Sequence, residues 1–169
     1  FSLTEANSLN TKSHENIHEL IRQCLFKIKE YKNFRVIEEF DPSLPKLLIN
    51  RDLIIQSIDN ILVNAYESSN LDSSSYLKIQ TKFVVGENVR IPNIQNNIKR
   101  NSISLIFSDN GSGIDKSNIT KIYLPFFSTK KRGSGIGLFL VKKIIDDHDG
   151  SIVIESEDRV TSVKITLPI

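Results

Sequence analysis

Apolar residues recur at Ile17, Leu20, Ile21, Cys24, Leu25 and Ile28, the i, i+3, i+4, i+7, i+8, i+11 offsets of one helical face. This spacing predicts a helix over 14–31, with Ser13 as N-cap and Glu15 and Asn16 in the first turn. Phe34, Val36, Ile37 and Phe40 read as a strand. Asp41, Pro42 and Pro45 then break the chain before a short second strand at Leu47 to Ile49. A second amphipathic helix is expected from about Asp52 to Ser69, turning Leu53, Ile54, Ile58, Ile61, Leu62 and Ala65 inward. Tyr76 to Val85 and Ile103 to Phe107 read as strands. The asparagine-rich stretch from Gly86 to Asn101 (Pro92, Asn93, Asn96, Asn97) reads as a long connection. Residues 137 to 148 predict a third helix with Gly150 as its left-handed cap. Ile152 to Glu155 and Val160 to Leu167 close the chain as an antiparallel pair. Nothing repeats and no βαβ rhythm appears, so the expected class is an α+β two-layer sandwich.

The 169 residues make about one domain, with enough chain to bury a core without disulfides. Twenty-two basic against 20 acidic residues leave a net charge of +2, too little to steer the chain to nucleic acid or anionic lipid. One cysteine, Cys24, excludes an internal disulfide, and no Cys/His cluster has zinc spacing. No apolar run approaches the roughly 20 residues that span a bilayer. With no methionine and Phe1 at its start, the chain is expected to be a fragment of a longer protein. The 25 Ile and 15 Asn against 2 Ala match the codon bias of an A+T-rich genome; isolated surface asparagines therefore carry little meaning.

Four segments stand out. In Asn60-Ile-Leu-Val-Asn64-Ala65-Tyr66-Glu67, the asparagines stack at i and i+4 within the apolar run. Two carboxamide oxygens on one ridge suit a hard cation such as Mg²⁺, although a pair of surface asparagines would look the same in isolation. Ser108-Asp109-Asn110-Gly111-Ser112-Gly113-Ile114 follows a strand. It reads equally as a simple turn or as a buried acceptor, Asp109, beside glycines that let a flat ring approach the backbone. Gly133-Ser134-Gly135-Ile136-Gly137-Leu138 runs into a helix, where exposed amides and the helix dipole make an anion cradle. Its spacing is neither the dinucleotide fingerprint nor the P-loop. Between them, Tyr123-Leu-Pro125-Phe126-Phe127-Ser128-Thr129-Lys130-Lys131-Arg132 is a basic loop or a lid over a polyphosphate.

Taken together and in this order, the four segments resemble the ATP-binding catalytic domain of sensor histidine kinases, in the GHKL superfamily. The short lid from Pro125 to Gly133 and the run Val141 to Gly150 are most similar to NtrY-type nitrogen-regulation sensors. The resemblance implies a mixed, largely antiparallel sheet packed on three helices. It implies Asp109 as acceptor for the adenine amine, with Gly111 and Gly113 in the turn under the base. It further implies Asn64 as principal Mg²⁺ ligand with Asn60 near metal and phosphates, Lys130 reaching the phosphates, and Gly133, Gly135, Gly137 and Leu138 in the phosphate loop. Phe126 and Phe127 would pack the lid on the body, and Glu67 would either touch metal-bound water or lie on the helix surface.

Within the same superfamily, gyrase, Hsp90 chaperones and MutL proteins carry glutamate where Asn60 stands. An amide accepts no proton, so no residue here is expected to act as base, and the cofactors are ATP and Mg²⁺. The implied activity is donation of the γ-phosphoryl group to a histidine on a separate dimerisation and phosphoacceptor domain, and through it to a response regulator. An ATPase clamp or a non-catalytic nucleotide-binding module is the alternative. His14 and His18 are expected to be surface helix residues and His148 a cap compatible with the helix dipole, so the chain alone would not autophosphorylate. A cytoplasmic domain of a homodimer anchored in the bacterial inner membrane completes the expectation.

Overall fold

The structure, a computed structural model, describes residues 11–28, 34–69, 74–89, 98–130 and 133–169. Its elements run β1 (Ser13–Glu15), α1 (Ile17–Ile28), β2 (Arg35–Glu39), β3 (Leu47–Ile49), α2 (Arg51–Ser68), β4 (Tyr76–Val89), β5 (Ile98–Asp109), α3 (Gly137–Asp146), β6 (Ser151–Glu157) and β7 (Val160–Pro168). The main sheet has the order β2-β4-β5-β7-β6, with β2 parallel to β4 and every other pair antiparallel. The expected α+β class and its mixed, largely antiparallel sheet are what the chain forms.

Register explains the core. Ile79 lies opposite Phe107, Phe107 opposite Val163, and Val163 opposite Ile154; all four are buried. Leu105, Ile165 and Ile152 form a second such row. Because side chains alternate along a strand, these rows share one face. Ile17, Leu20, Ile21, Cys24 and Leu25 of α1, Ile54, Ile58, Ile61, Leu62 and Ala65 of α2, and Val141, Ile144 and Ile145 of α3 are buried in the same cluster.

Three boundaries differ from the sequence reading. Ser13 does not cap α1; residues 13–15 pair antiparallel with Leu47–Ile49. The helix starts at Ile17, where Asn16 Oδ1 accepts from the His18 amide at 3.0 Å and caps the end. The strands flanking the asparagine-rich stretch are longer than expected, with β4 reaching Val89 and β5 beginning at Ile98. Pro92, Asn93, Asn96 and Asn97 lie outside the described residues. The left-handed residue after α3 is Asp149, at φ 56°, not Gly150. Gly150 is required for a different reason: a Cβ there would lie 2.6 Å from the Thr166 carbonyl oxygen. Among the described residues no helix is long and apolar enough to cross a membrane.

Candidate functional site

A single cavity of about 770 Å³ opens between α2, the end of β5, the lid segment and the start of α3. Ile61, Ala65, Phe107, Ile122, Leu138 and Val163 give it apolar walls, and Asn60, Asn64, Glu67, Asp109 and Lys130 bring polar groups to it. Gly113, Gly133, Gly135 and Gly137 also line it. Gly111 is the one expected site residue that does not. It lies against α2 instead, where a Cβ would meet Ser68 Oγ and approach the Ser68 carbonyl oxygen to 2.6 Å.

Asp109 ends β5 and is only 5% exposed. Its Oδ1 accepts from the Gly111 amide at 3.0 Å and from Ser68 Oγ at 3.1 Å, the latter sharing its one proton with the Ala65 carbonyl at 2.9 Å. Both bonds fall on one oxygen, which orients the carboxylate and leaves Oδ2 as the remaining acceptor. Burial raises its pKa above the usual carboxylate value, while the Gly111 amide, the Ser68 hydroxyl and the Lys130 charge oppose the rise. Asn110 braces this loop: its Oδ1 accepts from the Tyr76 amide and its Nδ2 donates to the Ser74 carbonyl, both at 2.8 Å. Gly113 has φ 74°, a conformation that suits glycine.

At the other end, Asn64 and Glu67 point from adjacent turns of α2 toward Lys130. The Lys130 ammonium lies 3.3 Å from Asn64 Oδ1 and 2.5 Å from Glu67 Oε2. Oxygen donors gathered around a positive charge fit a hard divalent cation. Asn60 is arranged differently. Its Nδ2 donates to the Gln56 carbonyl at 2.8 Å, and its Oδ1 faces the start of α3, 2.9 Å from where a Cβ on Gly137 would stand.

The lid is held at its base. The Phe126 amide donates to the Gly135 carbonyl at 2.9 Å. Gly135 has φ 67°, and a Cβ there would lie 2.6 Å from the Phe127 amide nitrogen. Phe127 packs against the core as expected, but Phe126, at φ 64°, is 78% exposed and does not. Lys131 and Arg132 lie outside the described residues. The N-cap position of α3 is Ile136, with no capping bond from its side chain, so the first amides of the helix present donors toward the glycine segment.

The histidines depart from expectation. His14 is in β1, not on a helix surface. His18 is half-buried, stacked on Phe40 with ring centroids 4.6 Å apart. His148 is buried: its Nδ1 bonds to the Ile144 carbonyl at 2.7 Å and its Nε2 accepts from the Asn50 amide at 3.0 Å. That is a neutral bridge between α3 and α2, not a charged cap. None of the three lines the cavity. Ser68 and Asn110 escaped the sequence reading because serine and asparagine are abundant filler in this chain; only their position beside Asp109 marks them.

Residues 49–169 match the family described as histidine kinase-, DNA gyrase B-, and HSP90-like ATPase. The chain is similar to the sensory histidine kinase/phosphatase NtrB of Azospirillum brasilense, 36% identical over 139 residues. That match covers 81% of this chain and 34% of the relative, so the chain spans about a third of its length. The relative is an NtrB, not an NtrY. Among solved structures, the catalytic domain of histidine kinase ThkA superposes with a TM-score of 0.74 at 26% identity, covering 93% of this chain and 95% of that one. ThkA in complex with the response regulator protein TrrA gives 0.68 at 25% identity, covering 93% and 41%. The fold, the family match over most of the chain and these relatives converge: the chain belongs to the histidine kinase-, DNA gyrase B- and HSP90-like ATPase family, as a catalytic ATP-binding domain of the histidine-kinase kind.

Proposed function

We propose that this domain binds Mg-ATP in the cavity and donates the γ-phosphoryl group to a histidine of a separate phosphoacceptor and dimerisation domain. The observation that carries the reading is the placement of a buried, oriented carboxylate, Asp109, and a carboxamide, Asn64, in one cavity, with the start of α3 also on its wall. Asp109 Oδ2 takes the exocyclic amine of adenine. Guanine would present a carbonyl there and set two acceptors against each other, so ATP is favoured over GTP. Ile61, Phe107, Ile122 and Val163 enclose the ring. Gly113 keeps side-chain bulk from its edge. The phosphates lie along Gly133, Gly135, Gly137 and Leu138 at the helix N-terminus.

Asn64 would hold the metal, with Asn60 nearer the phosphates at the start of α3, and bound Mg²⁺ would neutralise charge on the phosphates. Asn60 supplies no base, since a carboxamide accepts no proton. Water is therefore left unactivated, and the acceptor histidine brings its own chemistry. Positioning accounts for most of the rate.

In the whole protein this domain works beside its phosphoacceptor domain, as part of a membrane-anchored homodimer that passes phosphate to a response regulator. The ThkA–TrrA complex supports the last partner. Likeness to the sensory histidine kinase/phosphatase NtrB supports a sensor kinase as the setting, with the nitrogen-regulation, NtrY type as the finer affiliation that the short lid suggests.

Titration calorimetry tests the reading. The chain should bind ATP with Mg²⁺ and bind GTP more weakly. Asp109→Asn should lose about ten- to a hundredfold in ATP affinity, the equivalent of a charge-assisted hydrogen bond of about 1.5–3 kcal/mol. Unchanged affinity in that variant removes the adenine seat, and the reading with it.

A further inference from the structure

Resting on the function just proposed, we propose that Asn64 and Glu67 form a cation seat held by the lid lysine, Lys130, and that a divalent metal enters by displacing this ammonium. The seat follows from the helix: residues three apart on α2 share a face, and both of these line the cavity. The ammonium bridges them at 3.3 Å from Asn64 Oδ1 and 2.5 Å from Glu67 Oε2. An ammonium and a small divalent cation compete for the same hard oxygens, and lysine is a compact point charge with donors only. The lid aims the side chain. Ser128 Oγ accepts from the Lys130 amide at 3.1 Å, and the Gly133 amide donates to the Lys130 carbonyl at 3.2 Å. Asn60 does not share the seat, because its Nδ2 is bonded to Gln56 and its Oδ1 faces Gly137. The second oxygen beside Asn64 is therefore the Glu67 carboxylate.

Two consequences follow. Lys130 is an internal competitor of the metal, not only a partner of the phosphates. Metal arrival and release of the Lys130 side chain are also one event, since the ammonium that leaves Glu67 is the one Lys130 carries. The lysine and glutamate side chains are 37% and 49% exposed, so solvent screens the bridge, and its loss should strengthen metal binding by only about two- to fivefold.

The probe is Mn²⁺ alone, added without nucleotide to the ¹⁵N-labelled chain, with paramagnetic broadening of amide signals as the readout. Wild type should broaden around Asn64 and Glu67. Lys130→Met should reach the same broadening at two- to fivefold lower Mn²⁺, and Lys130→Gln should behave alike. Glu67→Gln should lose it. Broadening that is no stronger in either lysine variant, or that survives Glu67→Gln, overturns the seat. ATP titrations of the same samples with Mg²⁺ separate the two failures. If wild type binds ATP while the manganese result is negative, only the seat is lost; if wild type binds no ATP, the proposed function itself fails.

Discussion

Asp109 carries its charge at the end of β5 in surroundings that disfavour it, and two donors on Oδ1 keep it oriented there. Ser68 is the weaker-looking donor, a serine in a run of filler, yet it is a positioning residue for the carboxylate. Ser68→Ala should reduce ATP affinity about two- to tenfold, the equivalent of one hydrogen bond of about 0.5–1.5 kcal/mol, with the Gly111 amide still in place. It should also move the pH dependence. Only the ionised carboxylate accepts through both oxygens, so affinity falls as pH drops through the Asp109 pKa, which burial has already raised. Removing the Ser68 hydroxyl raises it further, and calorimetry across pH should show the loss beginning at a higher pH than in wild type. An unshifted onset would mean that Ser68 only fills space. Asp109→Asn gives a complementary result. It removes a buried charge while keeping an acceptor for Ser68 and Gly111, so its melting temperature should equal or exceed wild type even as ATP binding collapses.

Helices α2 and α3 are joined by His148, a contact that bears on the site because each helix carries one wall of it. A backbone amide can only donate, so Nε2 must be bare toward Asn50 and Nδ1 must carry the proton toward Ile144. Protonation would set two N–H groups against each other, and burial accordingly lowers the His148 pKa. The unfolded chain takes up its proton near the ordinary value of about 6.5, while the folded chain resists until lower pH. The stabilisation is thus full above about pH 6.5 and is lost as pH falls through the folded pKa. His148→Ala should cost about 1–3 kcal/mol at pH 8, through loss of the buried hydrogen bond from the Asn50 amide. Its denaturant-derived stability should then fall less than that of wild type between pH 7 and 5. His18, also lowered by burial, is common to both proteins and cancels in the difference. The base of the lid has its own constraint at Gly135, whose φ is 67°. Gly135→Ala should displace the Phe126–Phe127 backbone and weaken ATP binding by at least about tenfold, since a side chain at φ 67° meets that backbone directly; calorimetry unchanged from wild type would show that the lid base tolerates the shift. The apolar faces of these helices were readable because burial imposes a period on them. The start of α1 was not, because β1 exists only through pairing with β3 some 36 positions away (Ser13 with Ile49), and a polar triplet carries no local sign of it. Lys130 with Glu67 and His148 with Asn50 are long-range pairs of the same kind.

The whole molecule separates the cavity from every histidine it contains. His14 pairs along β1 with Leu48. His18 is clamped by Phe40, with its Nε2 2.9 Å from Thr81 Oγ1. His148 is locked in the α2–α3 bridge. Phosphoryl transfer needs the acceptor nitrogen within about 3–3.5 Å of the reacting phosphorus, in line with the leaving oxygen. None of the three rings lines the cavity, and His18 and His148 are fixed by their own contacts with Phe40, Thr81, Ile144 and Asn50. Among the described residues the cavity also holds no uncommitted carboxylate to send the phosphoryl group to water: Asn60 is an amide, and each carboxylate on the wall already has partners, Asp109 in Ser68 and Gly111, Asp115 in Ser117, and Glu67 in Lys130. The chain incubated with γ-labelled ATP should therefore retain no acid-labile phosphohistidine and release phosphate only slowly at steady state. Addition of a separately produced phosphoacceptor domain from the same protein should transfer label to that domain. Label retained on His14 or His18, or rapid phosphate release by the chain alone, would mean that the cavity works as something other than a phosphoryl donor to a partner domain.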